Sequence, residues 1–197
     1  FDAFAHGVDI SMQALTKYVG GHSDLLLGSV STRDATGVEK LGPIYQQLGL
    51  AVSPDDCSLA LRGLQTLALR LDMLEKSALT IANWLAQQPL VDKVLHPAMV
   101  SCPGHDLWVR DFSGSTSVFS FVFDNHIDAK QVINFINNLQ IFRIGMSWGG
   151  VNSLAVVYPD LIRPTQDFAG RIVRLNIGLE DVDDLISDLE QAFRTIG

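Results

Sequence analysis

Hydrophobic residues recur along the first third of the chain with two different periods, which predict the secondary structure there. Two short apolar runs, residues 8–13 and 24–31, predict strands on either side of a polar turn rich in glycine. Residues 36–50 have apolar positions at helical spacing, but Gly42 and Pro43 are expected to kink or restart that helix. The first strand has the character of a buried strand in the middle of a sheet, with neighbours on both sides.

The rest of the chain alternates between helical and extended patterns. Helical spacing predicts one bent helix or two abutting helices over residues 55–88, a helix over 128–139 and a last helix from 181, whereas strands are predicted at 91–95, 117–123, 153–158 and 171–177. The order helix, strand, strand, helix, strand, strand, helix predicts an α+β domain that follows a piece of a parallel α/β domain. We therefore expect an α/β chain with a boundary near residue 65, which divides residues 1–65 from residues 66–197.

Composition and charge restrict the kinds of molecule that the protein is expected to bind. The 197 residues carry a formal net charge of −8 without a basic run, which argues against nucleic acid or an anionic membrane as partner. No apolar run approaches the ~20 residues that span a bilayer.

The two cysteines, Cys57 and Cys102, lie far apart, which favours a reducing compartment, the cytoplasm. The histidines lack the spacing of metal ligands, so no metal is expected. Because the chain begins at Phe1, just before a strand of central character, we expect a piece of a longer polypeptide.

A lysine stands on the turn after the first strand. Lys17 follows Thr16 and precedes the Gly-Gly-His-Ser-Asp loop at residues 20–24. A deprotonated lysine amine can attack an aldehyde, and a threonine hydroxyl and backbone N–H in such a turn can bind a phosphate. Most lysines are solvated surface charges, so this short motif alone leaves a structural and a catalytic role open.

Two further features lie in the second half of the chain. Ser147 and Trp148 precede a Gly-Gly pair, which is typical of a backbone turn with a packing tryptophan. Arg174 alternates with apolar residues on a predicted buried strand, where a guanidinium needs a partner. Either a salt bridge to an acid such as Asp181 or the bidentate binding of a ligand carboxylate satisfies that need.

Taken together, these motifs resemble the Cys/Met-metabolism family of pyridoxal-phosphate enzymes. The resemblance is carried by residues 9–11, 16–18, 21–24, Gly28, 62–67, 147–150 and 171–181. It implies the C-terminal part of an aspartate-aminotransferase-like fold, in which residues 1–65 are the last portion of the cofactor domain and residues 66–197 are a small α+β domain. Residues 62–67 join these two parts, and Gly63 is expected to allow close packing.

The resemblance also implies roles for individual residues. Lys17 holds pyridoxal 5'-phosphate and moves the substrate α-proton, and Thr16 contacts the cofactor phosphate. Ser147, Trp148 and Arg174 bind the substrate, with its α-carboxylate on Arg174 and Ser147. The tryptophan is the form associated with the β-lyase branch of the family.

Two positions depart from the family's pattern. Ala14 stands where many members have a serine as a second phosphate ligand, and Asn152 stands where a glutamate is usual. The first departure leaves one fewer hydroxyl for the phosphate, and the second weakens the assignment of the substrate.

The implied activity is that of a carbon–sulfur β-lyase, which cleaves cystathionine, an amino-acid thioether, to homocysteine, pyruvate and ammonia in methionine synthesis. Alternatives are a γ-acting relative, a broad cysteine-conjugate lyase and a non-catalytic remnant. The family assembles as homotetramers, dimers of dimers. Its acid at the pyridine nitrogen and its ring-stacking aromatic residue come earlier than the matched region, so this chain alone is expected to be inactive.

Overall fold

The computed structural model describes residues 2–159, 162–163 and 166–196 and divides the chain into two compact units. The first unit comprises residues 1–67 and the second residues 68–197. The assignment of residues 1–65 to a cofactor domain and of residues 66–197 to a small domain stays a prediction.

The first unit contains a hairpin and two helices. Its elements are a 3-10 turn at Phe4–His6, strand β1 at Ile10–Ala14, strand β2 at Gly28–Thr32, helix α1 at Ala35–Gln47 and helix α2 at Pro54–Gln65. Asp34 caps α1 by accepting a hydrogen bond from the Gly37 N–H, and Ser53 caps α2 in the same way through the Asp55 N–H. Pro54 occupies the first turn of α2, where its missing N–H costs no helical hydrogen bond.

The pairing in the first unit differs from the parallel arrangement predicted for it. Within the described residues β1 pairs only with β2, antiparallel, with Ala14 opposite Gly28. The second neighbour expected for β1 in a longer polypeptide stays a prediction. The connecting residues 15–27 fold back as turns and contain no crossover helix, which a parallel pairing requires. Helix α1 also continues through Pro43 without restarting.

The second unit is a sheet covered by helices. It contains α3 at Leu67–Leu85, β3 at Val91–Leu95, α4 at His105–Asp111, β4 at Val118–Phe123, α5 at Ala129–Asn137, β5 at Arg143–Ile144, β6 at Leu154–Val157, β7 at Ile162–Arg163, β8 at Gln166–Asp167, β9 at Ile172–Asn176 and α6 at Val182–Phe193. The strand order is β3-β4-β9-β6-β5, while β7 and β8 form a separate antiparallel pair. Only β5 and β6 are parallel in the five-stranded sheet; its other neighbours are antiparallel.

The hydrophobic core lies on one face of this sheet. Strand residues alternate between the two faces, so Phe121 of β4 and Leu175 of β9 point towards the helices. There they pack with buried residues of α3, α5 and α6, such as Ile81, Phe135 and Leu189. Helices α5 and α6 begin at capping aspartates, and α5 has a complete capping box between Asp128 and Gln131. The predicted α+β arrangement of this unit is confirmed.

The opposite face of the sheet carries polar residues near its centre. Arg174 and Asn176 alternate with core residues on β9, so both point away from α3, α5 and α6. Arg174 lies between Ser120 of β4 and Val156 of β6 in the strand register. The edges of the sheet are short or irregular: β5 has two residues, and β3 shifts register between Val91 and Lys93. None of the helices in the described ranges combines the length and apolar character needed to cross a membrane.

Candidate active site

Lys17 lies on a tight turn that directly follows β1. Its backbone N–H donates to the Ala14 carbonyl at 3.1 Å, and its own carbonyl accepts from the Gly21 N–H at 2.8 Å. The turn is also closed by the Gly20 N–H, which donates to the Leu15 carbonyl at 2.7 Å. Lys17 itself is half-buried. The backbone that carries this amine is therefore held on both sides of the residue.

The Thr16 side chain ties the turn to the start of β2. Its hydroxyl donates to the Leu27 carbonyl at 3.1 Å and accepts from the Leu27 N–H at 2.9 Å. The Thr16 backbone N–H donates to the same carbonyl at 3.1 Å. A hydroxyl has one proton to donate, so binding a phosphate through that proton requires it to leave the Leu27 carbonyl.

A cavity of about 290 Å³ adjoins the turn. Its walls come from the end of β1, the start of β2 and residues between them: Met12, Gln13, Ala14, Thr16, Leu26, Leu27 and Gly28. Ala14 contributes a methyl group to this wall, so the serine expected there from the family resemblance is replaced by an apolar surface. The Nδ1–H of His22 donates to the Gly20 carbonyl in the turn at 2.7 Å.

Gly63 explains how α2 approaches the lysine turn. A Cβ atom built at this position would overlap the carbonyl oxygens of Val19 and Gly20. Any other residue would force the helix and the turn apart. The expected packing role of Gly63 is confirmed, and it concerns the turn that carries Lys17.

The substrate-binding residues predicted in the second half of the chain are brought together at β9. The Arg174 Nη2 donates to the Met146 carbonyl at 2.6 Å and to the Ser147 carbonyl at 3.3 Å. The guanidinium carbon lies 5.9 Å from the ring centroid of Trp148 and 6.0 Å from that of Tyr158. Arg174 is thus held against the Ser147 segment and flanked by two aromatic rings, which favour a cation over their faces.

One nitrogen of Arg174 remains available for an anion. Its Nε is buried and has no hydrogen-bond partner within the described part of the chain. An unpaired buried donor costs about 1–3 kcal/mol, which an incoming acceptor can recover. Ser147 and Trp148 are exposed beside it. This donor set fits a carboxylate.

The alternative of a salt bridge between Arg174 and Asp181 is not what the structure shows. Asp181 caps α6, where its carboxylate accepts from the Asp183 N–H at 2.9 Å. A carboxylate at a helix N-terminus is favoured by the helix dipole, so this acid already has a structural role. Lys17 and Thr16 belong to the first unit, and the Arg174 cluster belongs to the second.

Sequence reasoning did not single out the residues that support the Ser147 segment. Glu180 accepts from the Ser153 N–H at 2.7 Å and from the Ser153 hydroxyl at 2.8 Å. Asn176, buried in the same network, binds the backbone of Gly149 and Asn152. A signal for Asn176 was available: it is a polar residue two positions after Arg174 on an apolar strand, hence on the same face.

Comparisons with known proteins agree with this geometry. Residues 1–194 match the family described as Cys/Met metabolism PLP-dependent enzyme. The chain is 42% identical to cystathionine beta-lyase of Escherichia coli and 45% identical to a putative cystathionine beta-lyase of Rhizobium johnstonii, and these matches cover 100% and 98% of this chain and 51% and 50% of the relatives. The crystal structure of cystathionine gamma synthase from Xanthomonas oryzae pv. oryzae, in complex with aminoacrylate and cysteine, superposes with a TM-score of 0.87 at 32% identity, over 98% of this chain and 51% of that one.

These matches show the fold of the chain and how much of its relatives' length it spans. The α/β fold expected from the family resemblance is confirmed by the structural match. The chain spans about half the length of the curated relatives it matches. Its own length is nevertheless covered almost completely by the family match. The chain therefore belongs to the Cys/Met-metabolism family of pyridoxal-phosphate-dependent enzymes.

Proposed function

We propose that this chain carries part of the active site of a carbon–sulfur β-lyase that cleaves cystathionine to homocysteine, pyruvate and ammonia. The observation that carries the proposal is the Arg174 cluster, in which a partly unpaired guanidinium lies between Trp148 and Tyr158 beside Ser147. Such a planar fork binds the α-carboxylate of an amino acid and fixes its orientation. The similarity to cystathionine beta-lyases over the whole chain supports the same substrate.

Lys17 is the proposed catalytic residue. Pyridoxal phosphate, when bound, supplies an electron sink for the carbanion that forms at the substrate Cα. The Lys17 amine would hold the cofactor aldehyde, and as a free amine it would be the base that removes the proton from Cα. The hydrogen bonds on both sides of Lys17 keep its backbone in place.

The phosphate group is proposed to lie near Thr16. The hydroxyl of Thr16 reaches it once its proton leaves the Leu27 carbonyl, while the bond from the Leu27 N–H can remain. Because Ala14 offers no hydroxyl at the wall of the neighbouring cavity, other donors of the complete site share the phosphate charge.

The other residues orient the substrate. Arg174 binds the α-carboxylate, Ser147 adds a hydroxyl donor, and Trp148 packs against the guanidinium and excludes water from it. Holding the carboxylate in one orientation fixes which bond at Cα is presented for proton removal. Trp148 is also the feature that favours β- over γ-cleavage, through the resemblance to the β-lyase branch.

Complete activity is proposed to need the rest of the family's length. The 197-residue chain covers half of its relatives, so we expect no turnover from it alone. We further propose that the complete enzyme works in the cytoplasm as a homo-oligomer, a dimer of dimers, as its family does.

Borohydride labelling tests the role of Lys17. The complete enzyme is incubated with pyridoxal phosphate and reduced, and mass spectrometry then locates the modified residue. We expect an absorbance band near the edge of the visible range and label on Lys17, both lost in Lys17→Ala. The matched control is Lys40→Ala, which removes an exposed lysine of α1 in the same unit. Equal labelling of Lys17 and Lys40 would contradict the proposal and favour the non-catalytic remnant.

The products of the complete enzyme test the type of cleavage. With cystathionine as substrate, β-cleavage gives pyruvate and γ-cleavage gives 2-oxobutyrate. We expect pyruvate to dominate, and Arg174→Lys to raise KM strongly because an ammonium cannot make the bidentate contact. A dominant yield of 2-oxobutyrate would assign the chain to a γ-acting enzyme instead.

A further inference from the structure

We propose that Asn176 is a positioning residue for the substrate carboxylate: its side-chain amide fixes the segment from Gly149 to Asn152 and so holds Ser147 and Trp148 beside Arg174. The description of Ser147 and Arg174 as substrate-binding residues rests on the proposed function. The positioning itself concerns only groups of the second unit.

Asn176 lies next to Arg174 on the same face of the sheet. It follows Arg174 by two positions on β9, so the two side chains share the face that points away from the helices. Asn176 is 1% exposed, whereas Arg174 is half-buried. The amide therefore lies beneath the surface on which the guanidinium is presented.

The side-chain amide of Asn176 makes three hydrogen bonds. Its Oδ1 accepts from the Gly149 N–H at 3.0 Å and from the Ser117 hydroxyl at 2.8 Å. Its Nδ2 donates to the Asn152 carbonyl at 3.2 Å. A backbone N–H can only donate and a carbonyl can only accept, so both ends of the amide are specified by the backbone of one segment.

Asn176 holds the glycine pair, which its neighbours leave between their own contacts. Arg174 bonds to the carbonyls of Met146 and Ser147, before the Gly-Gly pair. After the pair, the Leu179 N–H donates to the Val151 carbonyl at 2.8 Å, and Glu180 bonds to Ser153. The bond from the Gly149 N–H to Asn176 therefore fixes the backbone at the glycines, where its freedom is greatest.

Substitution by aspartate separates positioning from mere packing. In Asn176→Asp, a protonated carboxyl group can reproduce all three bonds, because its O–H donates to the Asn152 carbonyl and its C=O accepts. The ionised carboxylate can only accept, so it repels that carbonyl. Burial raises the pKa of such a carboxyl, and the charged groups nearest in the network, Arg174 and Glu180, have opposite signs. The segment should therefore be ordered at low pH and displaced at high pH in this variant.

The indole N–H signal of Trp148 reports the position of the segment. It is recorded by NMR in the 197-residue chain labelled with 15N-tryptophan and assigned by its loss in Trp148→Phe. We expect Asn176→Leu to shift or broaden it at every pH. In Asn176→Asp we expect displacement at pH 8 and a return to the wild-type position by pH 5, with wild type recorded at each pH. Ser117→Ala, which leaves both backbone bonds in place, should keep the wild-type signal.

Two results would overturn the proposal. One is a wild-type Trp148 signal in Asn176→Leu, which would mean that Arg174 and Glu180 hold the segment without the amide. The other is an Asn176→Asp signal that does not return at low pH, where the native hydrogen bonds can form. Neither measurement involves cofactor or turnover, so they are independent of the Lys17 labelling that tests the proposed function.

Discussion

The two units of this chain differ sharply in how much apolar surface they bury. Within residues 2–67, only Leu25 and Ala60 are buried hydrophobic residues, whereas the second unit has a continuous core of leucine, isoleucine, valine and phenylalanine. Helix α1 has no buried residue at all. Both units have well-capped helices, so local structure is specified in each, but only the second has the burial that stabilises it.

The first unit instead exposes its apolar side chains. A groove of about 680 Å³ between the hairpin and α1 is lined by Met12, Val30, Val38, Tyr45 and Leu50, and each of these residues is exposed. Large exposed apolar patches mark surfaces that another part of a protein covers. The lysine turn therefore lies in the unit that buries less apolar surface, which we expect to be the less stable of the two.

Separating the units is the change with the largest expected effect. Residues 68–197 produced alone should give a dispersed NMR spectrum and a cooperative urea transition. Residues 1–67 alone should remain largely unfolded, because a two-stranded hairpin with so little buried surface is marginal in water. A cooperative transition of the 1–67 piece would contradict this comparison.

Truncating the core should cost more than any truncation in the first unit. Phe135 is fully buried, with its ring centroid 4.9 Å from that of Phe193 and 5.2 Å from that of Phe123. Phe135→Ala should lower the free energy of unfolding by about 3–5 kcal/mol. Met12→Ala, at a residue 79% exposed, should change it by less than about 0.5 kcal/mol. Urea denaturation of both variants measures the two changes in the free energy of unfolding. Equal losses in the two variants would contradict the expected difference between the units.

Gly63→Ala should loosen the lysine turn by a smaller amount. The added methyl group meets the carbonyls of Val19 and Gly20, and overpacking of this kind costs about 1–3 kcal/mol. Amide hydrogen exchange at Gly20 and Gly21 should accelerate. The control is Gly42→Ala in α1, where a Cβ meets nothing within 4 Å beyond its chain neighbours and should leave exchange at Gly20 and Gly21 unchanged. Unchanged exchange in Gly63→Ala would show that the helix can move away at no cost.

A weak pH dependence is expected in the second unit from His96. Burial lowers the pKa of this imidazole below its ordinary value, although the Glu75 carboxylate acts in the opposite direction. Between about pH 6.5 and the lower pKa of the folded state, the unfolded chain binds more protons, so stability falls as the pH falls.

The substitution His96→Gln isolates the contribution of this imidazole to the pH dependence of stability. The imidazole has an unpaired buried Nε2 and accepts at Nδ1 from the Ala98 N–H. Urea midpoints at pH 7.5 and pH 5 should therefore differ more in wild type than in His96→Gln. An equal or larger difference in the variant would assign the pH dependence to other groups.

The sequence predicted the second unit better than the first, for a physical reason. In β4 and β9, residues of the main core alternate with residues of the opposite face, and α5 and α6 bury a single stripe, so their patterns can be read from the sequence. Helix α4 was missed because none of its residues is buried and no period results. In the hairpin, both strands are largely exposed, so the direction of pairing could not be inferred from burial.

The candidate site was predictable only in part. The motifs identified Lys17 and Arg174, because their residue types suit an aldehyde cofactor and a carboxylate. The contact between Arg174 and the Ser147 segment joins residues 27 positions apart, which no local pattern encodes. The two hydrogen bonds between Thr16 and Leu27 could not be predicted from the sequence either, because they depend on how residues 15–27 fold back.

The two edges of the five-stranded sheet have a consequence for how copies of this chain meet. An unpaired strand edge is a template for further pairing, and long, regular edges promote aggregation. Here β5 offers two residues, and β3 offers an irregular register with the charged side chains of Asp92 and Lys93. Neither edge can accept a long run of ladder hydrogen bonds. Copies of the second unit can therefore meet only through side-chain surfaces at this sheet, which can be matched in shape and charge, and an endless strand-to-strand stack through it is disfavoured.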